Sequence, residues 1–74
     1  MKKLIKILEA IFDNKLNYNL ISEFDQIRIE ILKNKKYINN FVIDENEKIF
    51  INFDGYDNFI ETTVDELINY IKNI

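Results

Sequence analysis

Between Gln26 and Lys33, apolar Ile27, Ile29 and Ile31 alternate with polar Gln26, Arg28 and Glu30. A period of two sends successive side chains to opposite faces, so this is the clearest strand in the chain. Two more runs have strand character. In Tyr37–Asp44, Phe41 and Ile43 oppose Val42, and Ile49, Phe50, Ile51 and Phe53 make the most apolar run. A weaker alternation sets Leu16, Tyr18 and Leu20 against Asn17 and Asn19, leaving open whether residues 16–22 join the sheet. Asn34-Lys35-Lys36 and Glu45-Asn46-Glu47-Lys48 are polar turns, and Asp54-Gly55, with the only Gly, ends the last strand. Tyr56–Glu61 reads equally as loop or short strand.

Both ends of the chain switch to helical period. Leu4, Leu8, Ile11 and Phe12, with Ile5 and Ile7, predict a helix from Lys3 to Asp13 that stops at Asn14. Thr63 and Glu66 form a capping box ahead of Val64, Leu67, Ile68 and Ile71. Their i, i+3, i+4, i+7 spacing predicts an amphipathic helix over Val64–Asn73. The order implies one α+β domain over residues 1–74. It is an antiparallel three- or four-stranded meander with an N-terminal and a C-terminal helix packed on one face. The other face would carry Gln26, Arg28, Glu30, Leu32, Asn40, Val42, Phe50 and Asn52; a one-residue register shift would exchange the two faces.

With 47% hydrophobic residues, including fifteen Ile and ten Phe or Tyr, the chain is too apolar for intrinsic disorder. Cys and His are both absent, which removes disulfides and the usual zinc ligands. A domain this small must then rest on packing or on self-association. Lack of Cys fits a reducing compartment. Lys6 and Glu9 interrupt the N-terminal apolar run, so it does not read as a signal peptide, and nothing approaches a membrane span. A cytoplasmic location is expected.

Charge is unevenly divided. Residues 1–37 hold eight Lys or Arg and five Asp or Glu, a net of +3; residues 38–74 hold two Lys and eight acids, a net of −6; together they give the chain's −3. All eight acids of the second half lie between Asp44 and Glu66, beside one base, Lys48. Such a block can meet a basic partner. The bland alternative is that turns and helix starts favour acids: Asp54 suits a turn, and Asp65 and Glu66 suit a helix N-terminus. Five residues at about 3.3 Å each put the 44–47 and 54–57 clusters roughly 17–20 Å apart, giving two patches or one elongated stripe. Glu61, Asp65 and Glu66 are expected nearer the second cluster. Tyr56 and Phe59 flank Asp57 and Asn58, so they serve as interface anchors if exposed; otherwise Phe59 plugs the core under the second helix.

Catalytic chemistry finds little purchase. There is no Cys or His, Ser22 is the only Ser, and Thr62 and Thr63 read as helix-start residues. Asp44, Glu45 and Glu47 sit in a turn where carboxylates are solvated, unlike the perturbed groups acid–base work needs. Asp44-Glu45-Asn46-Glu47-Lys48 begins like a calcium loop, but position five is Lys48, position six is Ile49 and position twelve is Gly55. One Gly cannot build a phosphate loop. Lys33, Lys35 and Lys36 around Tyr37 offer a small basic turn, but the chain's acidity argues against direct nucleic-acid binding. No catalytic residue, metal or cofactor is assigned.

The strands Gln26–Lys33, Tyr37–Asp44 and Lys48–Phe53, followed by Asp54, Asp57 and Glu61, give a short acidic α-β-β-β-α chain with its acids gathered late in the meander. In architecture and charge it resembles small phage anti-CRISPR proteins, some of which block Cas9-type nucleases at the site that reads the target DNA's PAM. The resemblance implies a non-enzymatic inhibitor that occupies a basic groove by mimicking DNA charge. The partner-binding residues expected on that reading are Asp44, Glu45, Glu47, Asp54, Tyr56, Asp57 and Glu61. The α-β-β-β-α order also resembles the double-stranded-RNA-binding domain, but Val64-Asp65-Glu66 stands where that family carries a Lys cluster. A self-associating module, a homodimer through the sheet edge or the outer face around Leu32, Val42 and Phe50, is the alternative.

Overall fold

The computed structural model describes residues 2–56 and 58–74. Helix α1 (Lys2–Asp13) leads into strands β1 (Asn17–Ser22), β2 (Gln26–Lys33), β3 (Lys36–Asp44), β4 (Ile49–Asn52) and β5 (Phe59–Thr62), and helix α2 (Val64–Lys72) closes the chain. The strands form one antiparallel sheet in chain order, β1-β2-β3-β4-β5. The α+β architecture is as expected, with five strands instead of three or four. Residues 16–22 do supply one of the added strands, and the second half of the ambiguous Tyr56–Glu61 segment supplies the other.

Local chemistry explains the boundaries. The Thr63 hydroxyl accepts from the Glu66 backbone N–H at 3.2 Å, which caps α2. Asn34 and Lys35 both take positive φ, 53° and 68°, so a two-residue turn of the I′ kind joins β2 to β3. Gly55 sits at φ 82°, a conformation that a side chain makes costly, in the loop between β4 and β5.

Both helices pack on one face of the sheet. Leu4, Ile7 and Ile11 from α1 and Leu67 and Ile71 from α2 bury against Ile29, Ile31, Phe41, Ile43 and Ile49. At about 100° per residue, Ile5 and Phe12 lie some 80–100° round α1 from Leu4. The buried stripe is therefore narrower than the apolar pattern: Ile5 and Phe12 are exposed. Pairings of Gln26 with Asp44, Arg28 with Val42, Glu30 with Asn40 and Val42 with Phe50 put the expected polar set on the opposite face.

Candidate functional site

On that opposite face the structure builds a network centred on Arg28, the only Arg. Its Nε donates to Glu23 Oε1 at 2.9 Å and its Nη1 to Asn40 Oδ1 at 2.9 Å. Its guanidinium carbon lies 5.6 Å from the centre of the Phe59 ring. Arg28 is on β2 and Phe59 on β5, three strand steps away, or about 14 Å in a flat sheet. The arginine therefore lies extended across the face. This cover buries Val42 and Asn40, each 6% exposed, where no helix reaches. Asn40 in turn donates to the Tyr37 hydroxyl.

The acidic residues occupy two turns at opposite ends of β4. In the first, Asp44 Oδ1 accepts from the backbone N–H of Asn46 and of Lys48, both at 2.9 Å, and Glu47 takes φ 60°. Glu45 is exposed at the tip. The Lys3 ammonium donates to the Glu47 carbonyl at 3.1 Å, tying the start of α1 to this turn. In the second, Asp54 accepts from the Tyr56 N–H at 2.8 Å and from the Asn58 side-chain amide. Those donors, the Asn58 amide first, hold its carboxyl below the ordinary value. Asn52, buried at the end of β4, accepts from the N–H groups of Asp54 and Gly55 and anchors the loop. Tyr56 stands 83% exposed beside Asp54. Asp57 lies outside the described residues.

Glu61 is not where the sequence suggested. Because β5 returns antiparallel to β4, Glu61 faces Phe50 and Thr62 faces Ile49. That carries Glu61 and Asp65 back to the Asp44–Lys48 end, away from Asp54. There they line an open groove of about 490 Å³ with Glu47, Lys2, Lys3 and Lys6. The positive and negative parts of the sequence thus meet at one end of the molecule, while Asp54 and Tyr56 stand at the other. Phe59 neither plugs the core under α2 nor stands free; it is half-buried against Arg28. The Arg28 network escaped the sequence reading because its members come from four separate segments.

Among the described residues no group of three or more acids could hold a metal ion, and no helix is long and apolar enough to cross a membrane. Comparison with protein-family models, with curated proteins and with solved structures finds no match for this chain.

Proposed function

We propose that this chain is a non-enzymatic acidic binding protein that inhibits a nucleic-acid-binding protein or nuclease by charge mimicry, as small phage anti-CRISPR proteins do. One observation carries the reading. Two turns at opposite ends of β4 each hold a carboxylate, Asp44 and Asp54, through backbone and amide donors. Dipoles position these charges without neutralising them, so they stay available to a basic surface and cost little further ordering on binding. At about 3.3 Å per strand residue the two clusters lie roughly 17–20 Å apart, the axial rise of about five or six nucleotides on one DNA strand. Tyr56 supplies an exposed aromatic beside the second charge. The target on this reading is a basic groove met in the cytoplasm, and the acids at work are Asp44, Glu45, Glu47, Asp54, Asp57 and Glu61.

Amide substitution tests the proposal with little change of shape. Asn at 44 keeps the oxygen that accepts from Asn46 and Lys48, and Asn at 54 keeps an acceptor for the Tyr56 N–H while losing the Asn58 contact in an exposed loop, so Asp44→Asn, Glu45→Gln, Glu47→Gln, Asp54→Asn and Asp57→Asn together should leave the fold intact. The tagged chain should retain a basic nucleic-acid enzyme from a host lysate and release it as salt rises from about 50 to 500 mM, where screening shortens to a few ångströms. The fivefold variant should retain none. Capture that survives both the substitutions and high salt would rule charge mimicry out.

A further inference from the structure

The two edges of the sheet are built differently. The β5 edge is four residues long, carries Glu61 and runs straight into α2. Shortness and charge are devices that keep an edge from pairing. The β1 edge, Asn17-Tyr18-Asn19-Leu20-Ile21-Ser22, has neither. It is six residues long, has no charge, Pro or Gly, and is exposed throughout. In a chain where 31% of residues are charged, an uncharged exposed edge is a row of backbone donors and acceptors open to another strand.

The helix layer also stops short of this edge. Tyr18 and Leu20 pair with Ile31 and Ile29 and share their face. Ile29 and Ile31 are fully buried, whereas one strand further out Tyr18 is 42% and Leu20 47% exposed. Beside them the flank of α1 presents Ile5, 56% exposed, and Phe12, 79% exposed. Ile5, Leu8, Phe12 and Tyr18 line a shallow cavity of about 300 Å³ between helix and strand. Taking about 200 Å² for a large apolar side chain, the four exposed residues alone offer about 450 Å² per copy. With the strand edge added, that approaches the roughly 800 Å² per partner of a standard interface.

We propose that β1 is a homodimer interface, pairing antiparallel with β1 of a second copy about a twofold axis at Asn19. Only pairings between residues of the same parity keep both helix layers on one side of the continuous sheet. With Asn19 on the axis, Tyr18 faces the partner's Leu20 on the helix side, apolar against apolar. The same register sets Lys15 at the end that carries the partner's Glu23, so opposite charges meet at each end of the paired strands. An isologous contact of this kind closes on itself and stops at two copies, because the β5 edges are protected. The result is a ten-stranded sheet whose two α1 flanks bring Ile5 and Phe12 against their counterparts. The dimer does not rest on the proposed function: the acidic turns flank β4, three strands from β1, and only Asp44 and Glu45 share a cavity with the Ser22 end of β1.

Sedimentation equilibrium and cysteine cross-linking of the full chain test it. The unaltered chain should be a dimer at micromolar concentrations. Leu20→Lys, at an exposed position, should keep the native circular dichroism and weaken dimerisation at least tenfold. The chain has no Cys. Asn19→Cys would place two thiols across the axis, where directly opposed Cα atoms lie about 4.5–5.5 Å apart, within disulfide range. It should give a covalent dimer on oxidation; Asn17→Cys, displaced from the axis, should not. A chain that is monomeric up to about 1 mM overturns the proposal. So does a dimer that Leu20→Lys leaves unchanged, or one that cross-links at Asn17 and not at Asn19.

Discussion

Replacing Arg28 with Ala should destabilise the domain far more than an arginine on a helix-free sheet face would suggest. Its hydrogen bond to Asn40 is charge-assisted and partly buried, of a kind that contributes about 1.5–3 kcal/mol. Truncation also strips a partner from Asn40 Oδ1 in a residue only 6% exposed. The Glu23 pair adds less: its side chains are 27% and 36% exposed, and solvent-screened pairs contribute about 0.2–1 kcal/mol. The Phe59 contact at 5.6 Å adds about 0.5–1 kcal/mol. These interactions share one side chain and do not sum, so about 2–3 kcal/mol is expected for Arg28→Ala. In a domain this size that lowers Tm by roughly 10–20 °C.

Arg28→Met separates the causes, since it keeps the stem over Val42 and removes the charge and both donors. If the hydrogen bonds dominate, Met and Ala variants should lose similar stability in urea unfolding. If cover of Val42 dominates, Met should recover most of it. A loss under about 0.5 kcal/mol for Arg28→Ala would refute the network as the device that holds the outer face closed.

Lys35→Gly should stabilise the domain by about 0.5–1 kcal/mol, because Lys35 sits at φ 68°, where a non-glycine residue is strained. Lys36→Gly makes the same charge change within β3 and should destabilise; urea midpoints for the pair check the sign. Asp54 gives a pH signature. Its folded carboxyl is lowered by the Asn58 and Tyr56 donors, so its contribution is present above the ordinary carboxylate value, about pH 4, and fades as pH falls through the folded value. An NMR titration should place the Asp54 carboxyl below the ordinary aspartate value, and Asp54→Asn should remove that part of the acid limb.

What was legible in the sequence was set by local pattern. The Ile27-Ile29-Ile31 alternation, the Thr63–Glu66 box and the polar turns fixed strands, helix start and meander, and the register placed Gln26, Arg28, Glu30, Val42 and Phe50 on one face as expected. Ile5 and Phe12 misled because hydrophobicity does not say which neighbour is missing: each lies toward β1, where the helix layer ends. Glu61 was misplaced because Phe59–Thr62 was too short to show a period. Once it pairs with Ile49–Asn52, antiparallel return carries Glu61 to the first turn. The Arg28 network was invisible for a different reason. Its partners belong to the β1–β2 turn, β3 and β5, and only the strand order with the reach of Arg28 across the face brings Phe59 into contact.

The charge division along the sequence is therefore not a charge division of the surface. At the Asp44–Lys48 end, Glu47, Glu61 and Asp65 share a groove with Lys2, Lys3 and Lys6. Opposite charges lining one groove offset each other in the far field, so a distant basic partner feels less of that end. The Asp54 loop shares its end of the sheet with the β2–β3 turn and so with Lys33, Lys35 and Lys36, and it sets a carboxylate held below its ordinary value near an exposed tyrosine. β1 is three strands from β4, and its Ser22 end shares a cavity with Asp44 and Glu45, so a twofold dimer would set the partner copy beside the first turn.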